Sequence, residues 1–193
     1  MNREYKTVAV YCSARDSVLS TEVERLTADA AALLVEEFGL DLVYGGGARG
    51  VMNAVAREFR NRGARVHGVI TEHLLDIEGL SIHVTDSYVV ETMGERKEVM
   101  KDLADIVLAL PGGLGTLDEL IDICVHNQLY SKRRIPILVY KTPYFDRIFS
   151  VMKKEMTKAG VINPEDLDYV LFWNNIEELR DLLLILRIKI LSN

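Results

Sequence analysis

Apolar and polar positions along the chain fall into short β-branched runs that alternate with longer stretches of helical period. The runs at residues 7–11, 40–44, 65–70, 106–110 and 135–140 are predicted strands, residues 82–90 contain another, and residues 169–172 form a weaker one. Between them the spacing predicts helices over 18–38, closed by Gly39; over 51–62, ended by Gly63; over 92–103; from Thr116 onward; over 144–158; and from Ile176. Strands separated by helices of ten or more residues must pair in parallel, because each return to the sheet needs a crossover. The expected fold is therefore α/β, a Rossmann-like doubly wound parallel sheet flanked by helices on both faces. The whole chain, 1–193, is read as one domain without repeat or linker. In such sheets ligands sit beyond the carboxyl ends of the strands, where the glycine clusters of this chain fall.

Composition narrows the function classes. A chain of 193 residues can bury a substantial core without staples. Cys12 and Cys124 lie far apart without ligand spacing, which suggests neither a disulfide framework nor a zinc site, and no metal is expected. The net charge of -6 argues against wrapping a nucleic-acid backbone, and the short basic run at Lys132, Arg133 and Arg134 reads as a solvated loop. The N-terminus runs almost directly into a strand without a signal-peptide layout. The apolar segment 182–191 is too short for a bilayer and carries Arg187 and Lys189. A soluble cytoplasmic protein, with no nucleic-acid or membrane partner, is the expectation.

Candidate chemistry centres on residues 105–129, DIVLALPGGLGTLDELIDICVHNQL. A strand meets a glycine loop and then a helix start, whose free N–H groups and positive dipole end suit an anion. Gly112, Gly113, Gly115 and Thr116 are thus either an anion site or an ordinary strand-to-helix turn. Thr116 and Glu119 have the spacing of a capping box, and Asp118 suits the same helix end. Glu119 can accordingly be a cap, or a carboxylate that works on a sugar. On the helix over 92–103, Met93, Arg96, Met100 and Leu103 share one face, with Glu95, Lys97, Glu98, Lys101 and Asp102 on the expected wet side. A guanidinium aimed into the body of the protein must meet an anion there, either a structural carboxylate or a ligand. Gly45, Gly47 and Gly50, with Glu72 further on, match a dinucleotide spacing but could equally make a tight turn. His67, His73, His83 and His126 show no ligand or triad pattern.

Together these residues resemble the LONELY GUY family of nucleotide phosphoribohydrolases. The hallmark Pro-Gly-Gly-x-Gly-Thr-x-x-Glu runs from Pro111 to Glu119; an Arg-Lys pair flanked by methionines appears as Met93, Arg96, Lys97 and Met100; and Tyr44 to Gly47 precede Gly50 and Met52. Weaker echoes are Cys12 and Ser13, Gln128 and Leu129, and Tyr144, Phe145 and Asp146. The resemblance implies hydrolysis of the N-glycosidic bond of an adenine-type nucleoside 5'-monophosphate without metal or organic cofactor. It makes Arg96 and Glu119 the catalytic pair and lets Gly113, Leu114, Gly115 and Thr116 hold phosphate and ribose. Gly112, Lys97, Met93, Ser13, Gly46 and, on a looser alignment, Glu78 join the substrate contacts. A homodimer or higher oligomer is also implied, with Leu117, Leu120, Ile121 and Cys124, or the apolar last helix, as candidate interfaces.

Cleavage of such a bond passes through an oxocarbenium-like centre, which a carboxylate can stabilise or supply with activated water. Arg96 would position Glu119 and the ribose, or donate to the departing base. The chain departs from the family at Ser13, Ala14 and Arg15, at Asn53 and at His126, and where the family has Gly-Tyr-Tyr it reads Pro143, Tyr144 and Phe145. The alternative function is a non-catalytic nucleotide or molybdenum-cofactor carrier on the same fold, for which the glycines would suffice without the carboxylate. Lysine decarboxylation, a label attached to the family, finds no segment that points to a pyridoxal-phosphate lysine.

Overall fold

The computed structural model describes residues 6–130 and 133–191, with side chains described as far as residue 186. Residues 1–5, Lys132 of the basic run, and the side chains of Arg187 and Lys189 in the last apolar segment therefore lie outside what is described. Seven strands, Thr7–Tyr11 (β1), Asp41–Tyr44 (β2), Val66–Thr71 (β3), Asp86–Val90 (β4), Ile106–Ala109 (β5), Ile137–Tyr140 (β6) and Val170–Trp173 (β7), form one sheet in the order β4-β3-β2-β1-β5-β6-β7. Every pairing is parallel, as the crossover argument requires.

Helices cover both faces, and strand alternation decides which residues each face receives. Val8, Val10, Leu42, Tyr44, Ile106 and Leu108 point to one side. There they meet helices Thr21–Ala32 (α1), Gly50–Asn61 (α2) and Ile176–Leu191 (α7) through residues such as Ala30, Phe59 and Leu179. Ala9, Tyr11, Val43, Val107 and Ala109 point the other way. Their partners are Met100 of Met93–Leu103 (α4), Leu120 and Ile123 of Leu114–Leu129 (α5), and Phe145 and Phe149 of Pro143–Lys158 (α6). Among the described residues, no helix is long and apolar enough to cross a membrane.

The order of the strands reverses at β1, which has β2 on one side and β5 on the other. The loops that leave β1 and β5 are consequently neighbours, and they are tied together: Leu110 N–H donates to Tyr11 O (3.0 Å) and Ser13 N–H to Pro111 O (3.1 Å). This is the switch-point crevice where open α/β sheets bind ligands.

Three elements differ from expectation. The helix expected over 18–38 is divided: a 3₁₀ turn at Asp16–Val18 precedes α1, and a π turn at Leu33–Glu37 follows it. Ser20 imposes the break by capping α1, its hydroxyl accepting from Val23 N–H at 3.3 Å. A short helix, Glu72–Glu78 (α3), follows β3 directly and is capped by Thr71. α5 begins at Leu114, two residues before the expected Thr116. Of the stripe considered as an interface on this helix, Leu120 and Cys124 are buried against the sheet and Leu117 is packed beside them.

Candidate active site

Thr92 caps α4 by accepting from Glu95 N–H (3.1 Å), and one turn into the helix Arg96 points at the sheet. Its side chain is only 7% exposed. Arg96 Nε donates to the carbonyl of Val69 on β3 (2.9 Å), which fixes the plane of the guanidinium and leaves Nη1 3.4 Å from Glu119 Oε1. Room for the group comes from Gly45, where a Cβ would lie 1.8 Å from Arg96 Nη2 and 2.6 Å from Met52 Cε.

The neighbouring glycines have packing reasons of their own. Gly50 (φ +57°) opens α2 with its Cα against the backbone of Ala14, and Gly47 faces Glu78 Oε2. The dinucleotide-like spacing of Gly45, Gly47 and Gly50 thus serves an arginine seat, a close contact with the Glu78 carboxyl and a close approach of two backbones.

Glu119 projects from α5, and the anticipated capping box with Thr116 does not form. The N-cap of α5 is Gly113, whose carbonyl accepts the first helical bond from Leu117 N–H (3.0 Å), and no side chain caps this end. A Gly-rich loop can start a helix early because it resists no backbone conformation. Thr116 therefore lies inside the first turn, buried against Gly112, where a Cβ would be 2.1 Å from Thr116 Oγ1. The amides of Leu114, Gly115 and Thr116 are left as first-turn donors. Freed from capping, the Glu119 carboxyl is 11% exposed. Burial pushes its pKa up to about 7; Asp118 adds to the rise, while Arg96 and, less, Lys97 oppose it.

These groups line one open cavity of about 750 Å³ at the switch point. Ser13, Glu78, Arg96, Gly112, Gly113, Leu114, Gly115, Thr116 and Glu119 all border it. The arrangement offers an anion seat of helix amides beside a carboxyl poised to exchange a proton near neutrality, with a fixed guanidinium at its flank.

A family model described as "Possible lysine decarboxylase" matches residues 52–183. A cytokinin riboside 5'-monophosphate phosphoribohydrolase of Mycobacterium tuberculosis (strain ATCC 25618 / H37Rv) is 34% identical over 89% of this chain and 90% of its own length. The chain belongs to the LONELY GUY family of nucleotide phosphoribohydrolases. A probable enzyme of the same name from Oryza sativa subsp. japonica is 35% identical, covering 81% of this chain and 67% of the rice protein. Among solved structures, the molybdenum cofactor binding protein from the phototrophic bacterium Rippkaea orientalis aligns with a TM-score of 0.70 over 94% of this chain and 97% of that one. At 15% identity that likeness shows the fold alone.

Of the remaining LONELY GUY motif residues, Met52 and Pro111 also line the cavity, whereas Lys97, Met93 and Gly46 stand apart from it. Lys97 Nζ lies 3.1 Å from both carboxylate oxygens of Asp118, so its charge reaches Glu119 through space. Met93 is 44% exposed at the first residue of α4, and Gly46 (φ +77°) is buried against Ile70 and Leu80. Lys101, placed on the wet side by periodicity, is buried; its ammonium bonds Glu98 (2.7 Å) and Asp122 (3.2 Å). The reason is that α4 packs on α5 as well as on the sheet, which widens its buried arc. Asn53, a departure from the family, accepts from Ser81 Oγ (2.7 Å) and pins α2 to the segment after α3. His126 contacts the Arg133 carbonyl (3.0 Å) and stacks near Tyr130.

Sequence reasoning missed several lining residues, including Leu74, Met52, Arg15 and Tyr144. Leu74 sits on the unforeseen α3, and Tyr144, a weaker family echo, has nothing local to say that its hydroxyl accepts from Gly112 N–H (3.1 Å). Cys12 also lines the cavity, but burial, reinforced by Glu119, pushes its thiol well above its ordinary range, which leaves it protonated and unreactive. Among the described residues no group of three or more His, Cys, Asp or Glu could hold a metal ion.

Proposed function

We propose that this chain hydrolyses the N-glycosidic bond of an adenine-type nucleoside 5'-monophosphate, AMP or an N6-substituted analogue, to free base and ribose 5-phosphate. The observation that carries the reading is the buried Arg96–Glu119 pair beside the uncapped N-terminus of α5. A 5'-phosphate on the amides of residues 114–116 would place the sugar over Glu119. Ionised Glu119 stabilises positive charge at the anomeric carbon and takes a proton from the attacking water as its oxygen bonds to that carbon. The C–N bond breaks with its electron pair going to the base, which takes a proton from solvent water as it leaves, and Glu119 returns its own proton to solvent to complete the cycle. Arg96 orients the carboxylate and donates to ribose or to the departing base. Gly112 and Ser13 border the phosphate side, and Glu78 faces the substrate from α3. Lys97 acts through the charge on Glu119, while Met93 and Gly46 support the elements around the site.

A carrier on the same fold would use the glycines but would gain nothing from a buried carboxylate of raised pKa. Lysine decarboxylation by a Schiff base would need a lysine at the cavity, and none is among its lining residues. The reading extends to a homodimer or larger assembly and to a cytoplasmic setting, with which the two free buried thiols are consistent. Incubating the protein with a panel of nucleoside monophosphates and the matching nucleosides, followed by chromatography, should release base from the adenine-type monophosphates and far less from the nucleosides. Intact nucleotide throughout the panel would overturn the proposal.

A further inference from the structure

Tyr144 is the second residue of α6, which Thr142 caps by accepting from Phe145 N–H (3.2 Å). That cap and the contact of the Tyr144 ring with the buried Phe145, 4.6 Å between centroids, direct the phenol over the glycine loop. Its oxygen accepts from the Gly112 amide at 3.1 Å. A phenol has one proton to donate and lone pairs to accept. With a lone pair engaged by Gly112, the proton points away from that amide. Tyr144 is 42% exposed and borders the same cavity as Gly113, Leu114, Gly115 and Thr116. No protein acceptor takes its proton among the described residues.

We propose that the Tyr144 hydroxyl, held by the Gly112 amide, donates its hydrogen bond to the substrate phosphate seated on the N-terminus of α5. The inference rests on the nucleotide reading given above and adds a side-chain donor to a site otherwise built from backbone amides. The hydroxyl reaches the loop because the capped first turn of α6 presents it there.

The test is the affinity of wild type and Tyr144→Phe for ribose 5-phosphate and, separately, for adenosine, measured by calorimetry. Loss of one hydrogen bond to a charged group should weaken ribose 5-phosphate about tenfold or more and leave adenosine unchanged. In turnover, KM for the monophosphate should rise by a similar factor with kcat retained. Equal affinity of the two proteins for ribose 5-phosphate would overturn the inference, as would a parallel loss for adenosine or no binding of ribose 5-phosphate by wild type. Binding is read without catalysis, so a wild-type protein that binds but does not hydrolyse would count against the proposed reaction and leave the role of Tyr144 standing.

Discussion

Arg96 Nη1 stands 3.4 Å from Glu119 Oε1, yet the carboxyl pKa rises to about 7. An exposed carboxylate beside a cation would titrate below its ordinary value; here the loss of water outweighs the neighbouring charge. The guanidinium is already committed to Val69 O through Nε and presents only one nitrogen to Glu119. The pair is therefore loose enough to leave carboxylate lone pairs for a water or a sugar.

The activity should follow this titration. If ionised Glu119 is the working form, kcat/KM rises with pH and reaches half its plateau near 7. A profile that is flat between pH 5 and 8 would mean that Glu119 does not need to lose its proton for turnover.

Charges next to Glu119 should move that midpoint in opposite directions. Lys97 favours the carboxylate and Asp118 disfavours it. Lys97→Met is expected to shift the profile to higher pH and Asp118→Asn to lower pH. Shifts of the same sign in both variants would show that the two side chains act by contact rather than by charge.

Stability carries the same signature with its own sign. The folded carboxyl keeps its proton up to about 7, whereas the ordinary value is 4.5. Between those values the folded state holds a proton that the unfolded chain has released, so stability falls as pH rises through the window and the full cost remains above it. The cost is on the order of 3 kcal/mol. Glu119→Gln removes it: turnover should drop by about 10²–10⁴, while the Tm difference, variant minus wild type, grows more positive from pH 5 to pH 8. Melting curves that keep a constant difference across this range would contradict the buried-carboxyl account.

Gly45→Ala should disable the site without unfolding the protein. The added Cβ would lie 1.8 Å from Arg96 Nη2, at the far end of a long side chain, so the guanidinium is displaced from its seat. A loss of activity of about 100-fold is expected, comparable to removing a transition-state donor. Gly63→Ala is the control: its φ of +84° costs about 1 kcal/mol of strain, but its Cβ meets nothing within 4 Å. Assays at a temperature where both variants are folded separate the two effects, and equal activities would remove Gly45 from the site.

Much of this architecture is legible in the sequence, for identifiable reasons. All seven strands carry β-branched or aromatic runs, and the long intervening helices force parallel pairing. Arg96 stands out because a charge interrupts an apolar stripe. Glu119 was ambiguous because its spacing from Thr116 imitates a cap, and only the early start of α5 at Leu114 removes that alternative. α3 escapes because seven residues, EHLLDIE, begin directly at the end of β3 and show no full helical period. Tyr144 escapes for another reason: it meets Gly112 across 32 positions of sequence, a contact that only the fold creates. Lys101 misleads because periodicity sees one buried face, whereas α4 is covered on two.

The most direct measurement of the central claim follows AMP and an N6-substituted AMP by NMR in the presence of the protein at pH 8. Free base and ribose 5-phosphate should appear in equal amounts, and neither should accumulate with Glu119→Gln. Persistence of the nucleotides with well-folded wild-type protein, or equal turnover by Glu119→Gln, would contradict the assignment of the Arg96–Glu119 pair as the catalytic centre.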